Sequence, residues 1–334
     1  MRFKNHRRRL AFAGAAMIGG FALSGCADGD SNTTGTEPAD PEDVRIAFVP
    51  GITSDPFFRA MEIAAKDEAE QLGIELIWQG ASDEYAPQSQ LPFVDAALAE
   101  GVDALVLVPT DADALQPSVT RAVSMGIPVI TVDTTVSDQS ELVSHITGDN
   151  VEGGERAAEE MNSQTEGEGT VLVISASPTN TTGTQRVEGF ESALADEYTG
   201  LDMLPVQFAY SQPSEATTIL NTTLLEDPDL AGVFAVDGTS CTGAIAALNN
   251  SNKSGEVKLI CYDAYAAQVA ELESGTISAL IAQDPAQEAR LALQYAQAAV
   301  TGEGTDEIET EVVIPNVVMN LDNLAETREY EYAE

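Results

Sequence analysis

Basic residues are scarce in this sequence: 15 lysines and arginines stand against 55 aspartates and glutamates, for a formal net charge of −40. A chain of that sign repels a phosphate backbone, which excludes nucleic acid as a partner. Such acidity keeps a protein soluble at high salt, where repulsion between surface charges is screened over a few ångströms. Histidine is almost absent. His6 lies in a basic leader, and His145 sits in a segment that reads as a buried strand, so no nucleophile and base pair can be nominated. Cys26, Cys241 and Cys261 lack the spacing of a metal site. No GxGxxG or Walker motif occurs, and no cofactor or metal is expected. Counting aspartates and glutamates does not by itself exclude a glycosidase pair of carboxylates.

What is present begins with a leader. Arg2, Lys4, Arg7, Arg8 and Arg9 precede an apolar run from Leu10 to Leu23, the pattern of a secretory signal. That run has 14 residues, short of the roughly 20 that span a bilayer as a helix. It ends in Leu23, Ser24, Gly25 and Cys26, which resembles a bacterial lipobox with Cys26 as the lipid-bearing first mature residue. Residues 26–43 are rich in Asp, Gly, Ser, Thr, Glu and Pro and read as a disordered tether. The expected product is secreted and held by a lipid anchor at the outer face of the cytoplasmic membrane, or periplasmic, and is not inserted in the bilayer.

The remaining length and its ordinary hydrophobic share of 43% suit two α/β domains. Apolar, β-branched runs at 44–50, 74–80, 104–109 and 128–133 alternate with helical stretches, and a second series follows at 170–176, 204–209, 232–236, 257–263 and 277–283. The helix from Phe57 to Leu72 stops at Gly73. This alternation predicts two doubly wound, mostly parallel sheets, each covered on both faces. Ligands of such sheets bind beyond the carboxyl ends of the strands, where Asp55, Asp133, Asp237, Asp263 and Gln283 fall. An aspartate at such a place also serves as a helix N-cap. Cys241 and Cys261 are expected as two buried thiols, because nothing in the sequence supplies disulfide geometry.

The segments SDPFF (54–58), TVD (131–133), SHITGDN (144–150), RVEGF (186–190), YDA (262–264) and IAQDP (281–285) occur in an order that resembles the ribose-type periplasmic sugar-binding proteins. The similarity runs from about Val44 to Asn320. It implies the type 1 fold, with a first domain of 44–148 plus 284–314, a second of 149–283 plus 315–334, and a hinge of three crossovers near Asp149, Asp284 and Pro315. It places the family's sugar-sandwiching rings on Phe57 and Phe58, its hydroxyl-binding carboxylates on Asp133 and Asp263, and its hinge amide on Gln283. Asp55 and Asp237 stand where ribose binders carry Asn, and Thr134 and Thr184 where they carry arginines. The expected pocket is therefore rich in carboxylates, without arginine, and unsuited to anions. WQGASDEY (78–85), with Gln90, is similar to the rhamnose and autoinducer branch, which adds Trp78 and Tyr85 as candidate ligand contacts.

By that resemblance the chain is a monomeric solute-binding lipoprotein of an ABC transporter. It closes on a neutral monosaccharide, deoxysugar or sugar-derived polyol and presents the closed form to the permease. A sensor feeding a receptor kinase or chemoreceptor would use the same closed form, and a sugar-processing enzyme is the remaining alternative.

Overall fold

A computed structural model describes residues 44–82 and 84–333. The leader, Cys26 and the tether lie outside the described residues. In chain order, β1 (Arg45–Val49), α1 (Pro56–Leu72), β2 (Glu75–Trp78), α2 (Pro87–Glu100), β3 (Ala104–Leu107), α3 (Ala112–Ser124), β4 (Val129–Val132) and β5 (Ser144–Gly148) build a first lobe. The chain crosses into α4 (Asn150–Gln164), β6 (Gly169–Ser175), α5 (Thr181–Asp196), β7 (Leu201–Met203), β8 (Gln207–Phe208), α6 (Pro213–Glu226), β9 (Gly232–Ala235), α7 (Gly238–Ser251), β10 (Lys258–Tyr262), α8 (Ala266–Ser274) and β11 (Ala279–Ala282). It returns with α9 (Pro285–Thr301) and β12 (Glu311–Ile314), then crosses again to β13 (Val317–Met319) and α10 (Leu324–Thr327).

The first sheet has the order β12-β5-β4-β3-β1-β2 and its pairs are parallel. The second has the order β13-β11-β10-β9-β6-β7, with β13 antiparallel at its edge and β8 also paired to β6. Two doubly wound parallel sheets are thus the fold that the strand and helix alternation predicts. Two features differ from that reading. The run at 204–209 is not one strand: β7 and β8 flank Pro205, whose missing N–H cannot join a ladder. The strands β12 (EVVI) and β13 (VVM) are apolar but, at four and three residues, too short to stand out as separate runs.

Central strands read as unbroken apolar runs because helices cover both faces. In the first lobe Ala47, Val49, Leu105 and Leu107 pack toward Val94 and Leu115, while Ile46, Phe48, Val106 and Ile130 pack toward Met61 and Ala65. In the second, Val171, Val173, Phe234 and Ile260 meet Met161 and Phe190.

The expectation of two free buried thiols is corrected. Cys241 near the start of α7 and Cys261 in β10 form a disulfide, with Cα atoms 5.6 Å apart. Helix α7 lies directly on β10, which brings two fully buried side chains within bridging range.

The crossovers lie side by side. The Asp149 N–H donates to Ile314 O at 2.9 Å, and Asn316 Nδ2 donates to Asp149 O at 2.6 Å and to the Tyr262 hydroxyl at 2.9 Å. Asp149 caps α4 and Asp284 caps α9, so these crossings also start helices. Among the described residues no helix is long and apolar enough to cross a membrane.

Candidate functional site

The carboxyl ends of both sheets face a cavity of about 990 Å³. Asp55, Phe57, Phe58, Asp133, Asp237, Asp263 and Gln283 all line it, as does Tyr85. Each aspartate gets there by a local device. Asp55 is the N-cap of α1, accepting from Phe57 N at 2.8 Å, with Pro56 pre-set for the first turn. Asp237 caps α7 and accepts from Ser240 N at 2.9 Å and Ser240 Oγ at 2.7 Å. Capping and lining the cavity are one position here. Asp133 and Asp263 follow β4 and β10 directly with φ of 58° and 75°, left-handed backbone that aspartate tolerates better than most residues. That turn points each carboxylate off its strand end.

Asp263 is the most tightly held. Its Oδ1 accepts from Gln283 Nε2 at 2.7 Å and from the Tyr332 hydroxyl at 3.1 Å, and its Oδ2 accepts from Gly238 N at 2.8 Å. Burial together with the neighbouring carboxylates raises the proton affinity of the group. Desolvation, then the charge of Asp263, pushes Asp55 up to about 7, against hydrogen bonds from Tyr265 and Phe57. Asp133 is likewise pushed up to about 7 by burial, opposed by Arg186 and assisted by Asp263. Asp263 is raised by burial, opposed by Arg186, Gln283 and Gly238.

An arginine-free pocket is not what the chain builds. Arg186, from the RVEGF segment, is 3% exposed and lines the cavity. It donates to Asn150 Oδ1 at 2.8 Å, Val236 O at 3.1 Å and Gln283 Oε1 at 2.7 Å, lies 3.7 Å over the Tyr262 ring, and comes within 3.9 Å of Asp133. Five carboxylates, Glu84 with the four aspartates, around one guanidinium leave the cavity net negative.

Thr134 and Thr184 are not brought to it. Thr134 is buried and its hydroxyl donates to Pro109 O at 2.6 Å; Thr184 is exposed and bonds back to Asn180 O within the first turn of α5. Trp78 is also displaced: it points into the first lobe and packs on Phe48 with ring centroids 4.6 Å apart. Gln90 is fully buried behind the wall, holding Pro50 O, Val108 O and Thr110.

The aromatic arrangement also differs from expectation. Phe57 and Phe58 meet edge to face, 5.1 Å apart with planes at 83°, because successive helical residues point about 100° apart. They cannot offer parallel faces to one ring. The near-parallel pair is Phe58 and Tyr85, at 6.5 Å and 19°. Tyr265 adds a further ring from the second lobe. Gly51 and Gly238 make room, since a Cβ at either would overlap Tyr85 or Tyr265.

Sequence reasoning also missed Asn180 and Tyr265. Asn180 caps α5 and donates to the Tyr85 hydroxyl at 3.3 Å; Tyr265 donates to Asp55 Oδ1 at 2.7 Å. A polar residue ahead of TTGT, and the position after YDA, were the available signals. His145 lies outside the cavity lining, 6% exposed, with Nδ1 3.0 Å from Thr131 Oγ1, and burial pushes it down to about 4. Among the described residues no group of three or more His, Cys, Asp or Glu is placed to hold a metal ion.

Two lobes, a cleft at the strand ends and adjoining crossovers define a bilobal binding protein with an acceptor-rich, aromatic-walled site. The sequence profile of the periplasmic binding protein domain matches residues 46–304, and the chain belongs to that family. It is 29% identical to the D-ribose/D-allose-binding protein of Pseudomonas aeruginosa over 285 residues, covering 83% of this chain and 88% of that protein. It is 30% identical to the ribose import binding protein of Escherichia coli over 259 residues, covering 77% and 85%. Among solved structures, an ABC transporter solute-binding protein from Agrobacterium vitis bound with α-D-tagatopyranose superposes with a TM-score of 0.83 at 33% identity, covering 87% of this chain and all of that one.

Proposed function

We propose that the protein is the extracytoplasmic solute-binding component of an ABC transporter, taking a neutral monosaccharide, deoxysugar or sugar-derived polyol between its lobes. The observation that carries this reading is the convergence of Asp55, Asp133, Asp237 and Asp263 with Arg186, Phe58 and Tyr85 on one cavity. Hydroxyl rims need acceptors and a few donors, and the C–H faces of a sugar ring pack on aromatic surface. The net negative lining disfavours anions. Phe57, Phe58 and Tyr85 are assigned to the ring faces, Asp133 and Asp263 to hydroxyls, and Gln283 and Arg186 to holding those carboxylates. The lobes, 44–148 with 284–314 and 149–283 with 315–334, close about the crossovers, and the closed monomer docks on a permease. Cys26 carries the lipid that keeps it at the membrane. Binding without turnover is the activity assigned.

Thermal melting of residues 28–334 in high salt, against a panel of aldoses, ketoses, deoxysugars and polyols, tests the reading. A ligand at a hundred times its dissociation constant adds about 2.7 kcal/mol of stability. A shift with one neutral polyhydroxyl compound, lost in Asp133→Ala, is expected. A folded protein that shifts with none of them, or that converts the sugar, contradicts it.

A further inference from the structure

The segment after β13 folds back onto the site. Helix α10 runs into a 3-10 turn at Arg328–Tyr330, which Arg328 ties to Glu273 of α8 at 2.5 Å. Two residues further, Tyr332 N donates to Ala264 O at 2.9 Å. The Tyr332 ring is 5% exposed and sits 5.9 Å from Phe57 of the first lobe and 6.0 Å from Tyr265 of the second. Its hydroxyl accepts from the Gln283 N–H at 3.3 Å, which orients its own proton toward Asp263 Oδ1, 3.1 Å away.

An ionised carboxylate offers about four acceptor positions. Gln283 Nε2 and Tyr332 take both on Oδ1, and Gly238 N takes one on Oδ2. One remains, on Oδ2. Gln283 Nε2 and Gly238 N anchor one oxygen each, and the Tyr332 hydroxyl fills the second position on Oδ1, which leaves Oδ2 as the oxygen open to a ligand. Tyr332 does not line the cavity, so it acts on a ligand through Asp263 and Phe57.

We propose that Tyr332 is a positioning residue for the ligand site: its hydroxyl locks the Asp263 carboxylate with one acceptor left for the ligand, and its ring steadies Phe57 at the junction of the lobes. The proposal rests on Asp263 being a ligand acceptor.

The test compares wild type with Tyr332→Phe, which keeps the ring, and Tyr332→Ala, which removes both contacts. Carboxyl-detected NMR of the ligand-free protein follows the titration of Asp263. Losing a donor to the charged form should move that titration upward by about half a pH unit or more in Tyr332→Phe. Affinity for the panel compound that wild type binds should fall about tenfold in Tyr332→Phe and further in Tyr332→Ala. An unmoved Asp263 titration overturns the proposal, as does a moved titration with wild-type affinity. If wild type binds nothing in the panel, the sugar reading fails, and the ligand-free titration decides the role of Tyr332 by itself.

Discussion

The Tyr265 hydroxyl donates to Asp55 Oδ1 at 2.7 Å, joining the N-cap of α8 on one lobe to the N-cap of α1 on the other. Asn180 to Tyr85 at 3.3 Å, and Thr135 N to Thr181 Oγ1 at 3.2 Å, cross the same cleft. Bonds of this kind bias a bilobal protein toward closure. Tyr265→Phe removes the one that involves a carboxylate, a class worth about 1.5–3 kcal/mol. The ligand-free variant should therefore show a larger radius of gyration by small-angle scattering than wild type. Identical profiles would mean that this bond does not govern closure.

Stability should fall as pH rises from about 4 to about 7. Asp55 and Asp133 are pushed up to about 7 in the folded chain, against about 3.9 unfolded. Over that window the folded state keeps protons that the unfolded state has lost, so raising pH favours unfolding. Melting temperature measured from pH 4 to 8 at fixed high salt, which mutes the general charge repulsion, should decline. The double variant Asp55→Asn, Asp133→Asn should flatten the decline. An unchanged slope would assign the effect to other groups.

The Cys241–Cys261 bridge closes a loop with a sequence separation of 20. A loop of that size constrains the unfolded chain by about 3 kcal/mol. Urea unfolding of Cys241→Ala, Cys261→Ala should show a loss of that order. Alkylation of two free thiols in the unreduced, denatured wild type would refute the bridge.

Arg186 is worth more to the fold than its single charge suggests. Replacing it with Met leaves Gln283 Oε1, Asn150 Oδ1 and Val236 O without their buried donor, and the Asp133 carboxylate without the cation 3.9 Å away. The expected cost is about 3–5 kcal/mol in chemical unfolding. Lys should not rescue it, because one ammonium cannot reach three acceptors in a fixed fork. A variant within 1 kcal/mol of wild type, in the same urea titration, contradicts this account.

Much of the architecture was legible because parallel strands buried on both faces leave unbroken apolar runs, as at Ala104–Leu107 and Val129–Val132. Asp55, Asp133, Asp237, Asp263 and Gln283 were legible for a related reason: in this fold, residues just beyond a strand reach the cleft. Side-chain direction was not. Trp78 alternates inward from an edge strand, and Thr184 bonds to its own helix turn, so position in a motif misplaced both. Arg186 lay inside a motif read for its order alone. The disulfide depends on helix α7 lying on β10, and Tyr332 on a fold-back across more than sixty residues of chain from Asp263. Neither leaves a local pattern.

Calorimetric titration of wild type, Asp133→Ala and Asp263→Ala with the sugar or polyol that gives the largest melting shift tests the central claim most directly. The account predicts one ligand per chain, a negative heat-capacity change from burying the ring against Phe58 and Tyr85, and loss of binding in both variants. Undiminished binding in the two variants would place the ligand outside this cleft and contradict the account.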